Sequence, residues 1–183
     1  VLTLWGRASG VHYTPTLLVG YGGIWGENAF YARHDVWTKP RLQRYTSPGR
    51  LEARGRYRTL LVPEEDWHHV RLASTAWDLA QRGVRVNLGA HGQLQGLGPH
   101  WELWALGEGG FDRYEALRAA TANGADYLGL SDIGRLTEGR LADLIVIDGN
   151  PLERLEATEH IDLVVKGGVV YDPETLATTV PEV

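Results

Sequence analysis

The stretch PEEDWHHVRLASTAWDLAQRGVRVNLG, residues 63–89, constrains the fold more than any other part of the chain. Pro63 suits the first position of a helix, and Glu64, Glu65 and Asp66 complement the positive end of its dipole. Val70, Ala73, Trp77 and Ala80 recur at helical spacing as one apolar stripe, Arg82 lies at the C-terminal end, and Gly83 stops the helix. VRVNLG then follows with no linker. A striped helix running straight into a short β-branched segment packs that stripe on the sheet the segment joins. Upstream, VHYTPTLLV (residues 11–19) alternates and then becomes continuously apolar, as a buried strand does. Downstream, one helix opens at Pro99 and another at Asp112, where Glu115 completes a capping box for DRYEALRAATA. This alternation builds a parallel sheet, with residues 11–19 and 84–89 expected to be adjacent parallel strands.

Residues 20–62 are rich in Gly, Tyr, Trp and Arg, carry Pro40 and Pro48, and show only short helical fragments such as NAFYARH. A connection of that length within a compact fold is usually functional. Beyond Gly129 the character changes. ADLIVIDG, HIDLVVKGG and VVYD are short β-rich runs, the last two joined through Lys166, Gly167 and Gly168 as a tight hairpin. These features place a domain boundary near Ser131, with residues 1–130 as one domain and 131–183 as a small β-rich one.

The 183 residues are enough to bury a sizeable core, and 43% hydrophobic with 22% charged residues marks a globular chain. No apolar run approaches the roughly 18 residues of a membrane span, so no membrane partner is expected. Net charge is −5, and the basic residues are interleaved with acids, as where Glu52 interrupts Arg50 to Arg58; no nucleic-acid partner is expected either. Zero Cys removes disulfides, thiolate nucleophiles and Cys-ligated zinc together. The chain has no Met and opens at Val1 into LTLWGRAS, a helix-like segment closed by Gly10, without the pattern of a signal peptide. It reads as a piece of something longer, and its localisation stays unknown.

The decisive turn is Gly89-Ala90-His91-Gly92 at the end of the second strand. A dinucleotide fingerprint needs Gly where His91 stands, and no Walker Lys follows, so a nucleotide-binding α/β domain is a weak alternative. In α/β folds the loops at the C-terminal ends of strands carry the chemistry, which makes His91 the best single candidate for catalysis or metal binding. Neither H-x-H nor H-E-x-x-H occurs. His68 and His69 diverge by about 100° on a helix and cannot share an ion; a helix surface with one at the edge of the stripe is expected. His12, His34 and His160 read as ordinary histidines, His160 exposed beside a strand. His100 and Glu102 open the next helix and are candidates for substrate contact, although Glu102 there can simply complement the dipole. Tyr21, with Trp25 and Asn28, follows the first strand and is a candidate for the pocket mouth. The seven Trp residues suit packing.

IGRLTEGRLADLIVIDGNPLE followed by VVKGGVVYDPETL resembles the C-terminal end of the metal-dependent amidohydrolases, particularly their imidazolonepropionase-like and dipeptidase-like branch. Gly134, Leu136, Gly139, Ala142, Asp143 and Leu144 carry the likeness, with Glu115, Ala116, Ala119, Ala120, Thr121 and Asn123 in the helical segment before them. It covers residues 82–176 well and 13–23 loosely. The resemblance implies an α/β fold: the C-terminal portion of a (β/α)8 TIM-type barrel, strands 7 and 8 with their helices, followed by part of a small β-sandwich. A complete barrel takes about 250 residues, more than this chain has. The family's metal is held by an H-x-H on the first strand, Lys or Glu on the fourth, His on the fifth and sixth, and Asp on the eighth. Nothing in this chain matches the first six strands.

Where most of the family has Gly-Thr-Asp at the eighth strand, this chain has Gly89-Ala90-His91. The usual Asp contacts metal and accepts the proton of the attacking water. Imidazole can take either role, as a neutral ligand or as a general base with an unperturbed pKa near 6.5, but it adds no negative charge. The function so implied is hydrolysis of a C–N bond in a peptide-like or cyclic amide by metal-activated water. The metal is a divalent ion, zinc by resemblance, with most of its ligands in chain before Val1; the isolated chain is therefore expected to hold no zinc tightly. The expected partners are a small-molecule or peptide-like substrate and, as an option, further copies in a homo-oligomer. A non-catalytic binding or assembly module is the first alternative.

Overall fold

The computed structural model describes residues 8–20, 24–55 and 62–179. The chain forms two compact units, Val1–Phe111 and Asp112–Val183. The division falls before the helices of residues 113–128, which the sequence groups with the first domain.

In the first unit, β1 (His12–Tyr13) and β2 (Arg85–Val86) pair in parallel, His12 opposite Arg85 and Tyr13 opposite Val86, as the alternation requires. The Asn87 N–H extends the ladder to the Tyr13 carbonyl at 2.8 Å. β1 is much shorter than the apolar run that contains it. Pro15 has no N–H to offer a ladder, Thr16 turns left-handed at φ 49°, and Leu17–Val19 curl into one 3-10 turn with all three side chains buried.

The described part of the long excursion is largely helical: α1 (Gly26–Arg33), a 3-10 turn at Val36–Thr38, α2 (Pro40–Tyr45) and α3 (Pro48–Gly55). Pro40 and Pro48, breakers by their appearance in the sequence, each stand at a helix start, where a missing N–H costs nothing. The 63–81 segment divides into a 3-10 turn at Glu64–Asp66 and α4 (His68–Gln81). Trp67 lies between them at φ −75° and ψ 101°, buried, its backbone bridged in parallel to Ile24; pairing with that distant residue interrupts the helix. α4 buries His69, Ala73 and Ala76, a line one residue to the side of the expected stripe, and His69 is completely enclosed rather than at an edge.

α5 (Gly98–Glu108) is buried around its circumference: every residue from Trp101 to Leu106 is buried, as in a helix surrounded by protein. Trp101 stacks on Phe30 at 5.6 Å between centroids and meets Tyr31 edge-on at 5.0 Å. At the end of α5, Gly109 lets two backbones touch. A Cβ there would lie 2.2 Å from the Ala73 Cβ and 2.5 Å from its carbonyl carbon. Gly109→Ala is therefore expected to lower stability by about 1–3 kcal/mol. Gly49→Ala, on α3 with nothing within 4 Å of the added methyl, should leave it unchanged or raised. Urea unfolding of the two variants checks the contrast.

The second unit holds α6 (Arg113–Ala119), α7 (Ala122–Leu128) and an antiparallel sheet of β3 (Leu144–Ile147), β4 (Ile161–Lys166) and β5 (Val169–Tyr171) in that order. Asp112 caps α6 as expected, accepting the Tyr114 and Glu115 N–H groups at 2.9 and 3.4 Å. β4 and β5 join through Gly167 and Gly168, both at positive φ, as a two-residue hairpin turn of this hand demands. Asp143 braces that turn, accepting the Gly167 N–H at 2.7 Å and a proton of the Lys166 ammonium. Gly134 sits at φ 78°, where a Cβ would lie 2.7 Å from the Ala125 Cβ. Gly134 and Asp143 of the family-like motif thus serve the fold of this unit.

Candidate functional site

The site is built where β1 and β2 end side by side. Asn87, next after β2, is buried and ties the two strand ends together: its Oδ1 accepts from His12 Nδ1 at 3.0 Å, and its Nδ2 donates to Thr14 Oγ1 at 3.4 Å. Gly89 then passes so close to the first strand's exit that a Cβ would meet Thr14 Cγ2 at 2.3 Å and Thr16 Cγ2 at 3.0 Å. This close crossing explains the first Gly of the Gly-Ala-His-Gly turn.

Residues 90–93 form a turn closed by the Gln93 N–H on the Ala90 carbonyl at 3.1 Å. His91 and Gly92 occupy its two central positions at φ 52° and 66°, both left-handed. Gly92 adopts that conformation freely; His91 does so at a cost, though His tolerates it better than most residues. The His91 side chain is exposed, whereas Gln93 and Leu94 immediately after it are buried. The imidazole is held up to solvent on a turn whose base is packed into the protein. The Gln93 amide donates to the Glu27 carboxylate, which is 0% exposed.

α5 begins against this turn, a Cβ on Gly98 lying 3.6 Å from that of Ala90. His100, in the first turn of α5, is half-buried with its ring 6.4 Å from Trp104. Glu102, two residues on, is 0% exposed; its Oε1 accepts the Leu17 N–H at 2.7 Å and its Oε2 the Leu18 N–H at 3.1 Å. It caps the 3-10 turn that leaves β1, satisfying two donors that the turn itself cannot. Burial pushes its carboxyl up to about 8, only partly offset by the two N–H groups. Tyr13 is raised too, by burial and then by the nearby Glu102. Tyr21 lies outside the described residues.

Further polar groups did not announce themselves in the sequence: Glu27 and Gln93 at the site, and a part-buried pair at the C-terminal end of α5. In that pair His69 Nε2 and Glu108 Oε2 are 2.7 Å apart, with Arg33 donating to Glu108 Oε1 at 2.7 Å. Burial alone would raise the Glu108 carboxyl, yet the hydrogen bond from His69 and the charge of Arg33 hold it below its ordinary value. No spacing rule marks these residues, because each partner lies on a different element.

Among the described residues no group of three or more His, Asp or Glu converges on one point. His91 offers a single exposed imidazole, and one donor does not make the three- or four-ligand shell that zinc requires. The described residues therefore do not form a closed metal site by themselves.

The fold and part of the sequence recur in known proteins. The chain is 37% identical over 87 residues to a 5-methylthioadenosine/S-adenosylhomocysteine deaminase of Teredinibacter turnerae, a match covering 41% of this chain and 20% of the deaminase. A solved Xaa-Pro dipeptidase with methionine bound in its active site is similar over 93% of this chain and 36% of its own, with a TM-score of 0.61 and 23% identity. A Bottromycin amidohydrolase gives a TM-score of 0.60 at 27% identity, covering 91% of this chain and 38% of that one. The chain thus spans about a third of the length of these structures and a fifth of the deaminase. Their likeness makes its architecture a TIM-barrel-related α/β fold. Residues 65–171, more than half of the chain, match the model of the Amidohydrolase family, and the chain belongs to that family.

Proposed function

We propose that the chain is the C-terminal part of a metal-dependent amidohydrolase that hydrolyses a C–N bond in a peptide-like or cyclic amide. β1 and β2 are its seventh and eighth barrel strands, and residues 131–183 its share of a small β-sandwich. The observation that carries the reading is His91: an exposed imidazole on a left-handed turn at the C-terminal end of β2, in a chain of this family. That edge of an α/β barrel is where such enzymes place their chemistry.

A divalent ion, zinc by resemblance, would supply carbonyl polarisation and an acidified water, with its ligands coming from other residues; the single lone pair of a neutral His91 imidazole is kept for the proton. The chain's own chemical work is then a proton transfer. A ring nitrogen of His91 accepts the proton of the attacking water as the O–C bond forms, and returns it to the nitrogen that leaves as the C–N bond breaks. His100, at the start of α5, is the candidate for substrate contact, while Glu102 secures the β1 exit. The dipeptidase and amidohydrolase likenesses favour an amide substrate.

The test is a turnover assay on the complete protein loaded with zinc, offered Xaa-Pro dipeptides and cyclic amides. Amine release or ring opening is expected, abolished by a chelator and restored by added metal. Absence of turnover with zinc and with manganese, or turnover indifferent to the chelator, would overturn the reading.

A further inference from the structure

We propose that Glu27 is a positioning residue for His91, acting through Gln93. The proposal rests on the reading of His91 as the proton acceptor. A non-Gly residue at φ 52° is strained by on the order of 1 kcal/mol, so the turn persists only if its surroundings hold it. The turn's own hydrogen bond, Gln93 N–H to Ala90 carbonyl, fixes its width but not where it points. Its direction is set at the Gln93 side chain, which is buried and donates from Nε2 to the carboxylate of Glu27.

Glu27 is itself packed in place. It stands in the first turn of α1, and the preceding Gly26 is wedged so tightly that a Cβ there would lie 2.6 Å from the His69 Cβ and 2.9 Å from the Leu17 carbonyl oxygen. Ala29, Phe30 and Tyr31 of the same helix are 1%, 1% and 0% exposed. A buried carboxyl is tolerated only when its oxygens are hydrogen-bonded, and one of them takes the Gln93 Nε2 donor. What an apolar side chain would not do is accept a hydrogen bond from the residue two places after His91. The helical excursion therefore has a function that its sequence does not show: it carries the anchor of the β2 exit loop. Because Glu27 acts on geometry and touches neither substrate nor reacting atoms, its loss should appear in kcat rather than in KM.

The experiment compares variants of the complete zinc-loaded protein by kcat, KM and crystal structure. Glu27→Leu and Gln93→Leu should each lower kcat about tenfold or more with little change in KM, since a 1 Å misplacement can cost up to about 10²-fold. Glu27→Gln still presents a carbonyl oxygen to Gln93 and should retain most of kcat. Gln93→Glu sets two carboxylates against each other and should match the loss of Glu27→Leu. The double variant Glu27→Gln, Gln93→Glu exchanges donor and acceptor and should recover. If Glu27→Leu keeps normal kcat while His91→Ala loses it, or if the exchange fails to recover, the positioning role is overturned. If His91→Ala itself keeps normal kcat, or no probe is turned over, the failure belongs to the reading of His91. The crystal structures then decide: His91 leaving the left-handed region in Glu27→Leu but not in Glu27→Gln upholds the positioning role, and an unmoved turn overturns it.

Discussion

Replacing His91 with Ala in the complete protein lowers kcat by about 10²- to 10⁴-fold, the loss typical of removing a general base, with a smaller change in KM. Ala also fits the left-handed turn less well than His, so part of that loss is conformational. His91→Asn separates the two effects, because Asn accepts positive φ readily but takes no proton from water near neutral pH. It should fall as far as the Ala variant. His91→Asp places a carboxylate proton acceptor on the turn. If His91 is the proton acceptor, the Asp variant should keep part of the activity and move the acidic limb of the kcat/KM profile downward by about two units, the separation between ordinary carboxylate and imidazole titrations. Near-normal kcat/KM in a folded Asn variant would make His91 a loop residue with no part in the chemistry.

Truncating the Glu102 carboxylate, as in Glu102→Leu, is expected to cost about 2–6 kcal/mol of stability. It leaves the buried N–H groups of Leu17 and Leu18 without acceptors, at roughly 1–3 kcal/mol each. Glu102→Gln keeps one acceptor oxygen and loses less. The pair also differs in pH dependence. The Glu102 carboxyl titrates at about 8 in the folded protein against 4.5 when unperturbed. Between those values the unfolded chain releases the proton that the folded chain keeps, so the unfolded state gains and folding stability falls as pH rises through this window. Below 4.5 both states are protonated and the contribution is fully present; above about 8 it has been lost. The unfolding free energy of wild type minus that of Glu102→Gln, from urea titrations between pH 4 and 9, should decline by up to about 1.4 kcal/mol per pH unit. A flat or rising difference would show that Glu102 is ionised throughout, held so by its two N–H donors.

What the sequence determined by itself is local. The helix before β2, the Asp112 cap, the Gly167–Gly168 hairpin and the helix opening at Pro99 each depend on residues within a few positions of one another, so spacing and turn chemistry displayed them. The parallel pairing of β1 and β2 follows from the same alternation. The turn that carries His91 was visible because its glycines and its place after a strand are adjacent in the chain. Tertiary structure decided the rest. β1 stops at Tyr13 partly because Glu102, 85 residues away, captures the N–H of Leu17 and stabilises a 3-10 turn where an apolar run suggests strand. His69 sinks into the core because Glu108, 39 residues on, gives its ring a partner. Glu27 meets Gln93 across 66 residues. A buried polar side chain is stable only with its partner in place, and that partner is chosen by packing between elements, which no local pattern encodes.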